Sequence, residues 1–215
     1  MTAMLRSLEM TSTPAPPVSL ADAKLGCRID NALMDAHVQD LVDAAIEEAL
    51  ARTGRSFCTT TWLVKIPSPL MQMQDLGRPP LATLPAWPLY IAAWPLAPYF
   101  ELPRPPLVSV QWVKYYDPNE NFITMDPAIY SVDAAPRFGR ICLLPNQVWP
   151  ITDRRWDAMQ IAFTAGYGVA SSVPAGIRIG IKKLVSYWFY NPDADDVPAP
   201  IGRIFDRYAS LNMGY

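Results

Sequence analysis

The side chains that usually carry catalysis or bind metal are sparse in this chain. Its one histidine, His37, has no second histidine to complete a metal site or a nucleophile–base pair, and it reads as a helix-surface residue. Cys27, Cys58 and Cys142 are odd in number and show no CxxC spacing, so neither a disulfide framework nor a zinc site follows. They read as buried or half-buried thiols of a reducing compartment. Asp193, Asp195 and Asp196 could offer oxygens to a divalent cation, but the alternating ligands and the glycine of a calcium loop are missing, which leaves a solvated linker. The AGYG at 165 to 168 lacks the third glycine and the strand-then-helix setting of a nucleotide site, and reads as a turn. Arg154 and Arg155 beside Trp156 could stack on nucleic acid, yet Asp153 and Asp157 flank them and the patch is weak. The seven tryptophans, Trp62, Trp87, Trp94, Trp112, Trp149, Trp156 and Trp188, could line a sugar cleft; spread along the whole chain, they fit core and interface use better. GxSxG, phosphate-loop, GxGxxG and HExxH patterns do not occur. The expectation is a protein with no catalytic residue, no metal and no cofactor.

Composition sets what can position side chains at all. Of 215 residues 23 are Pro and 10 Gly, with 51% hydrophobic, 18% charged and a net charge of -2. Proline donates no backbone hydrogen bond and is expelled from helix interiors and central strands. Eleven prolines fall between residues 67 and 106, so that tract should be extended or irregular. Low charge with high apolar content leaves more apolar surface than a monomer needs, which points to subunit association. A balanced charge with no basic run argues against gripping nucleic-acid phosphates. MTAMLRSLEM has no apolar core of signal-peptide length. The uncharged residues 79 to 100 are interrupted by Pro85, Pro88, Pro95 and Pro98, which argues against a membrane-spanning helix and leaves an apolar loop.

The elements follow from period. Ser19, three before Asp22, has capping-box spacing and should open a helix through about Cys27. Val38, Leu41, Val42, Ala45, Ile46, Ala49 and Leu50 recur at three and four and end at Gly54, an amphipathic helix with its stop. From Cys58 the period becomes two, with Trp62, Val64 and Ile66 on one face. LVSVQWVKYY (107 to 116) should place Val108, Val110 and Trp112 on one side, with NFITM returning after the turn at Asp117–Glu120. Shorter strands are expected at 129 to 133, 139 to 144 and 158 to 168. Ser172 and Pro174 should start a helix with Ile177, Ile181, Leu184, Val185, Trp188 and Phe189 inward, and Asn191-Pro192 should end it. The expected fold class is α+β: a helical bundle from both chain ends, with an inserted small antiparallel β domain and a Pro-rich loop. The corresponding regions are a flexible arm at 1–17, N-terminal helices at 18–55, the β region at 56–168 containing the Pro-rich tract 67–106, and C-terminal helices and tail at 169–215.

In order along the chain, PVSLADAKLGCRID, DAHVQDLVDAAIEEALARTGR, TTTWLVKI, LPRPPLVSVQWVKYYDPN, FGRICLLPNQVWP, MQIAFTAGYG and VPAGIRIGIKKLVSYWFYN resemble the head-tail connector (adaptor) proteins of tailed bacteriophages, over about residues 17 to 205. The resemblance implies a structural virion protein without catalysis, a helical bundle with β-hairpin insertions. It implies a homo-oligomeric ring, twelve-fold in the family, that assembles in the host cytoplasm beneath the portal. There it would extend the DNA channel without sequence-specific binding and dock the stopper or tail-completion protein. Residues 68 to 93 depart from the family pattern, which is shorter there. Other neck components, a carbohydrate-binding module and a small hydrolase are the competing classes.

Two surfaces are candidates for assembly. The stripe Ile201, Ile204, Phe205, Tyr208 and Leu211, with Tyr215, could lay aromatic anchors on the portal or could pack on its own subunit. On the partner reading, removal of everything from Pro198 onward leaves a folded subunit. The acidic face of Asp40, Asp43, Glu47 and Glu48 could meet a basic neighbour, line the lumen and repel DNA, or be a solvated helix face.

Overall fold

The computed structural model describes residues 7–68, 99–134 and 138–210. Helix α1 (Leu20–Cys27) starts where Ser19 Oγ accepts the backbone N–H of Asp22 at 3.1 Å, the capping geometry its spacing demands. Helix α2 (Asp35–Thr53) buries Val38, Val42, Ala45 and Ala49 and stops at Gly54, whose φ of 65° a side chain would resist. Helix α3 (Ala175–Tyr190) buries Ile177, Ile181, Leu184 and Val185. Its start differs from expectation. Pro174 is the N-cap and not in the first turn, and Ser172 sits in a short 3-10 turn without bonding the helix end. Val173 is extended, as the restriction on residues preceding proline favours, and Pro174 has ψ 130°, outside the helical range, so the helix begins at Ala175. Helix α4 (Ala199–Asp206) closes the set. All four helices bury their apolar faces in one core, with Phe57, Cys58 and Val173 filling its end.

The strands are β1 (Ser7–Met10), β2 (Thr60–Ile66), β3 (Tyr99–Leu102), β4 (Leu107–Tyr116), β5 (Phe122–Thr124), β6 (Tyr130–Asp133), β7 (Gly139–Leu143) and β8 (Met159–Ala165). They form two antiparallel sheets, β1-β2-β8-β4-β5 and β3-β7-β6. Both contribute to a second core: Trp62, Val64, Ile66, Ile161 and Phe163 from the larger sheet meet Phe100, Leu102 and Ile141 from the smaller. Leu107 of β4 lies where a Cβ at Gly139 would fall, so that glycine sets how closely the sheets approach. The fold is α+β, with the helices drawn from both ends of the described chain and the strands mostly between them.

Two further expectations are corrected. Within the stretch 1–17 read as a flexible arm, residues 7–10 are an edge strand on β2, with Leu8 opposite Val64 and Glu9 paired to Lys65 at 2.6 Å. Four residues with one inward apolar side chain carry too short a period to be read. In β4, Val108 does not share the inward face; it is exposed, and Leu107 and Val113 are buried instead. The register against β8 slips between Leu107 and Ser109 and again between Val110 and Trp112. Each bulge adds one residue and flips the following side chains to the other face. The apolar Pro-rich stretch 69–98 lies outside the described residues, as does its departure from the family pattern.

The segment LPRPP joins the two cores. Arg104, at φ 61°, donates from Nη1 to the Leu50 carbonyl at 3.1 Å, in the last turn of α2, and lies 5.3 Å from the Trp62 ring. A cation there complements the negative end of the helix dipole. Pro105 and Pro106 carbonyls accept the N–H groups of Ser56 and Gly166.

Candidate assembly surfaces

The C-terminal stripe divides. Phe205 is fully buried and Ile201 nearly so, both in the helical core, while Ile204 and Tyr208 are half-buried. Leu211 and Tyr215 lie outside the described residues. Glycines admit this helix: a Cβ at Gly180 would stand 2.6 Å from Phe205 Cε1, and one at Gly202 2.8 Å from Arg52 Nη2. Tyr208 covers Gly176 in the same way. Arg52 pairs with Asp206 at 2.8 Å, and this bond holds the Asp206 carboxyl below the usual carboxylate range and raises Arg52. Arg55 donates from Nε to the Tyr208 carbonyl and from Nη1 to Tyr167 Oη at 3.1 Å. Ser210 donates through both its N–H and its hydroxyl to the Thr53 carbonyl, at 2.8 and 2.9 Å. Residues 199–210 are therefore built into the subunit. Their removal from Pro198 onward takes Phe205 and Ile201 out of the core and exposes the surface of α3 they cover, which is at odds with a remainder that stays folded. What the described part of the stripe offers outward is Ile204 and Tyr208.

The acidic residues share the outer face of α2. Asp40, Asp43 and Glu47 are exposed and Glu48 is half-buried. Asp43 accepts a hydrogen bond from Gln39 at 3.0 Å. No ion pair among the described residues uses any of the four. The inner charges of the helical unit are paired instead: Lys24 with Asp35, and Lys182 with Asp22 at 3.1 Å. The Lys182 bond, assisted by Ser19, holds the Asp22 carboxyl low.

The residues weighed for chemistry are far apart. His37 is exposed, its ring 6.1 Å from that of Phe189. Cys27 and Cys58 are buried and Cys142 half-buried; burial alone raises the Cys58 thiol and keeps it protonated. Asp196 is tied back to α3, its carbonyl accepting Trp188 Nε1 at 3.1 Å. In AGYG, Gly166 has φ 130° and its position leaves no room for a Cβ against the Cys58 backbone, which is the geometry of a tight turn. Arg155 pairs with Asp157 at 2.6 Å and lies 3.6 Å over the Tyr116 ring, so it is engaged within the subunit. Trp62 and Trp149 are buried in the strand core and Trp156 is exposed, so the described tryptophans do not line one cleft. Among the described residues, no group of three or more His, Cys, Asp or Glu could hold a metal ion, and no helix is long and apolar enough to cross a membrane.

Sequence reasoning passed over one surface. The segment between β7 and β8 is pinned: Trp149 meets Phe100 edge-on at 4.6 Å, Thr152 donates to Ser68 Oγ at 3.2 Å, and the Asp153 N–H donates to the Tyr116 carbonyl at 2.8 Å. Val148, Ile151 and Trp156 nonetheless remain exposed on it. Its prolines and charges conceal any period in the sequence.

No family model matches the sequence, and no curated protein matches it. Solved structures match across nearly the whole chain. One is a chain of the neck of an empty GTA particle computed with C6 symmetry, at TM-score 0.68 and 16% identity over 96% of each chain. A second comes from the virion of a native gene transfer agent particle, at TM-score 0.67 and 16% identity, covering 95% of this chain and 96% of that one. A third is from the neck of the native GTA particle computed with C12 symmetry, at TM-score 0.66 and 17% identity over 96% of each. At these identities the likeness is one of fold.

Proposed function

We propose that this chain is a structural component of the neck of a phage or gene-transfer-agent particle. In this reading it is a head-tail adaptor that forms a homo-oligomeric ring beneath the portal, continues the DNA channel and docks the stopper or tail-completion protein. The observation that carries the reading is the correspondence of fold over 96% of both chains with a chain from such a neck. It falls on the same class that the ordered sequence segments resemble. Rings closed by rotation need two different complementary patches on each subunit, and the surplus of apolar residues together with the exposed Val148, Ile151 and Trp156 supplies surface for contacts.

The C-terminal segment is the proposed portal contact. Ile201 and Phe205 anchor α4, the half-buried Ile204 and Tyr208 leave part of their surface to the partner, and Leu211 and Tyr215 are proposed to extend the contact. DNA passes through the ring without sequence-specific recognition, and the protein's place is the virion neck after assembly in the host cytoplasm. Particles from a strain lacking the gene test this: DNA-filled heads without tails, restored by the gene in trans, are expected. Normally tailed, infectious or transducing particles in its absence would overturn the proposal.

A further inference from the structure

Helices α2 and α3 meet across the helical core, α2 through Val38, Val42, Ala45 and Ala49 and α3 through Ile177, Ile181, Leu184 and Val185. Their outer faces therefore point to opposite sides of the subunit. On α2 the outer face carries Asp40, Asp43, Ala44 and Glu47, all exposed and brought together by spacings of three and four. On α3 it carries Ala175, Ile179 and Lys183, also exposed and spaced by four. Ile179 is 49% exposed there although it sits in the middle of a helix.

The two helices are opposite in charge. Helix α2 has five carboxylates, Asp35, Asp40, Asp43, Glu47 and Glu48, against Arg52; α3 has Arg178, Lys182 and Lys183 and no carboxylate. Among the described residues, Asp40, Asp43, Glu47 and Lys183 enter no ion pair, whereas Lys24, Arg52 and Lys182 are each matched. Two unlike, complementary faces on opposite sides of one subunit suit head-to-tail contact that closes by rotation, and not a self-complementary dimer.

We infer that the outer face of α3 receives the outer face of α2 from a second copy of this chain, with Lys183 among Asp40, Asp43 and Glu47 and Ile179 against Ala44. This rests on the ring proposed above and assigns its contact. It excludes the use of the α2 carboxylates as the lining of the DNA channel, because the neighbouring subunit covers them.

The test is charge exchange in the full-length chain. One variant carries Asp40→Lys, Asp43→Lys and Glu47→Lys, the other Ile179→Glu and Lys183→Glu. All five positions are exposed, and circular dichroism verifies that each variant folds. In sedimentation at low salt the wild-type chain is expected to assemble, each variant alone to need roughly tenfold or more higher concentration because like charges now meet, and the two mixed to assemble again. Raised salt should weaken the wild-type assembly. Assembly of each single variant at the wild-type concentration would overturn the contact while leaving the ring standing. A wild-type chain that stays monomeric even at the highest soluble concentration would overturn the ring and the contact together.

Discussion

Replacing Phe205 by Ala tests whether the C-terminal helix belongs to the subunit's own core. The ring is fully buried and lies on Gly180. Burying a phenylalanine is worth about 1.5–3 kcal/mol in transfer alone, and the cavity left by truncation raises the cost to about 3–5 kcal/mol. Collapse to fill the gap is restricted, because the floor is the glycine backbone of a helix held by Ile177, Ile181 and Leu184. At about 2–4 °C per kcal/mol for a chain of this size, the midpoint of thermal unfolding should fall by about 6–20 °C. Ile204→Ala removes a half-buried side chain and should cost about 1 kcal/mol, so the two variants separate core packing from general weakening of the helix. Urea denaturation followed by circular dichroism, with a check that the slope is unchanged, supplies the free energies. A Phe205→Ala loss below about 1 kcal/mol, or one equal to that of Ile204→Ala, would refute the docking of α4 and return the whole stripe to the surface.

Gly166→Ala should destabilise by about 1–3 kcal/mol or more in the same assay, because the site combines φ 130° with overlap on the Cys58 backbone; a neutral change would show that the turn relaxes freely. The Asp22 and Asp206 carboxyls are held low by Lys182 and Arg52 respectively. Their stabilisation is present above the unfolded pKa of about 4 and is lost as pH falls through the lower folded values, so thermal midpoints should drop on acidification below about pH 4. Asp206→Asn should show a shallower drop, and identical pH profiles would count against the pair. Alkylation with iodoacetamide at pH 8 should modify Cys142 first and leave buried Cys27 and Cys58 protected until unfolding; equal rates at all three would contradict the packing.

Long elements with an unbroken period were legible. Helix α2 follows directly from Val38, Val42, Ala45 and Ala49 at spacings of three and four up to the stop at Gly54, and β2 from Trp62, Val64 and Ile66. The phase of β4 was not, because two bulges against β8 reset which side chains face inward and nothing in LVSVQWVKYY marks them. Pro174 illustrates a different limit: proline favours the first helical turn, but its fixed φ leaves ψ free, and the extended ψ of 130° at Pro174 puts it at the cap. Of the assembly surfaces, the acidic face of α2 could be read from Asp40, Asp43 and Glu47, whereas the pinned loop bearing Val148, Ile151 and Trp156 could not.

The amino-acid sequence alone determined the helical periods of α2 and α3, the period-two strands that lie between them, and the apolar stripe of α4. Only the tertiary structure decided what covers that stripe. Amphipathic spacing states that a face must leave water, and is silent on whether the surface that covers it lies on the same subunit or another. Gly180 of α3 opens the space for Phe205 of α4, and Gly202 of α4 the space for Arg52 of α2, and such complementarity exists only once α2, α3 and α4 have been brought together.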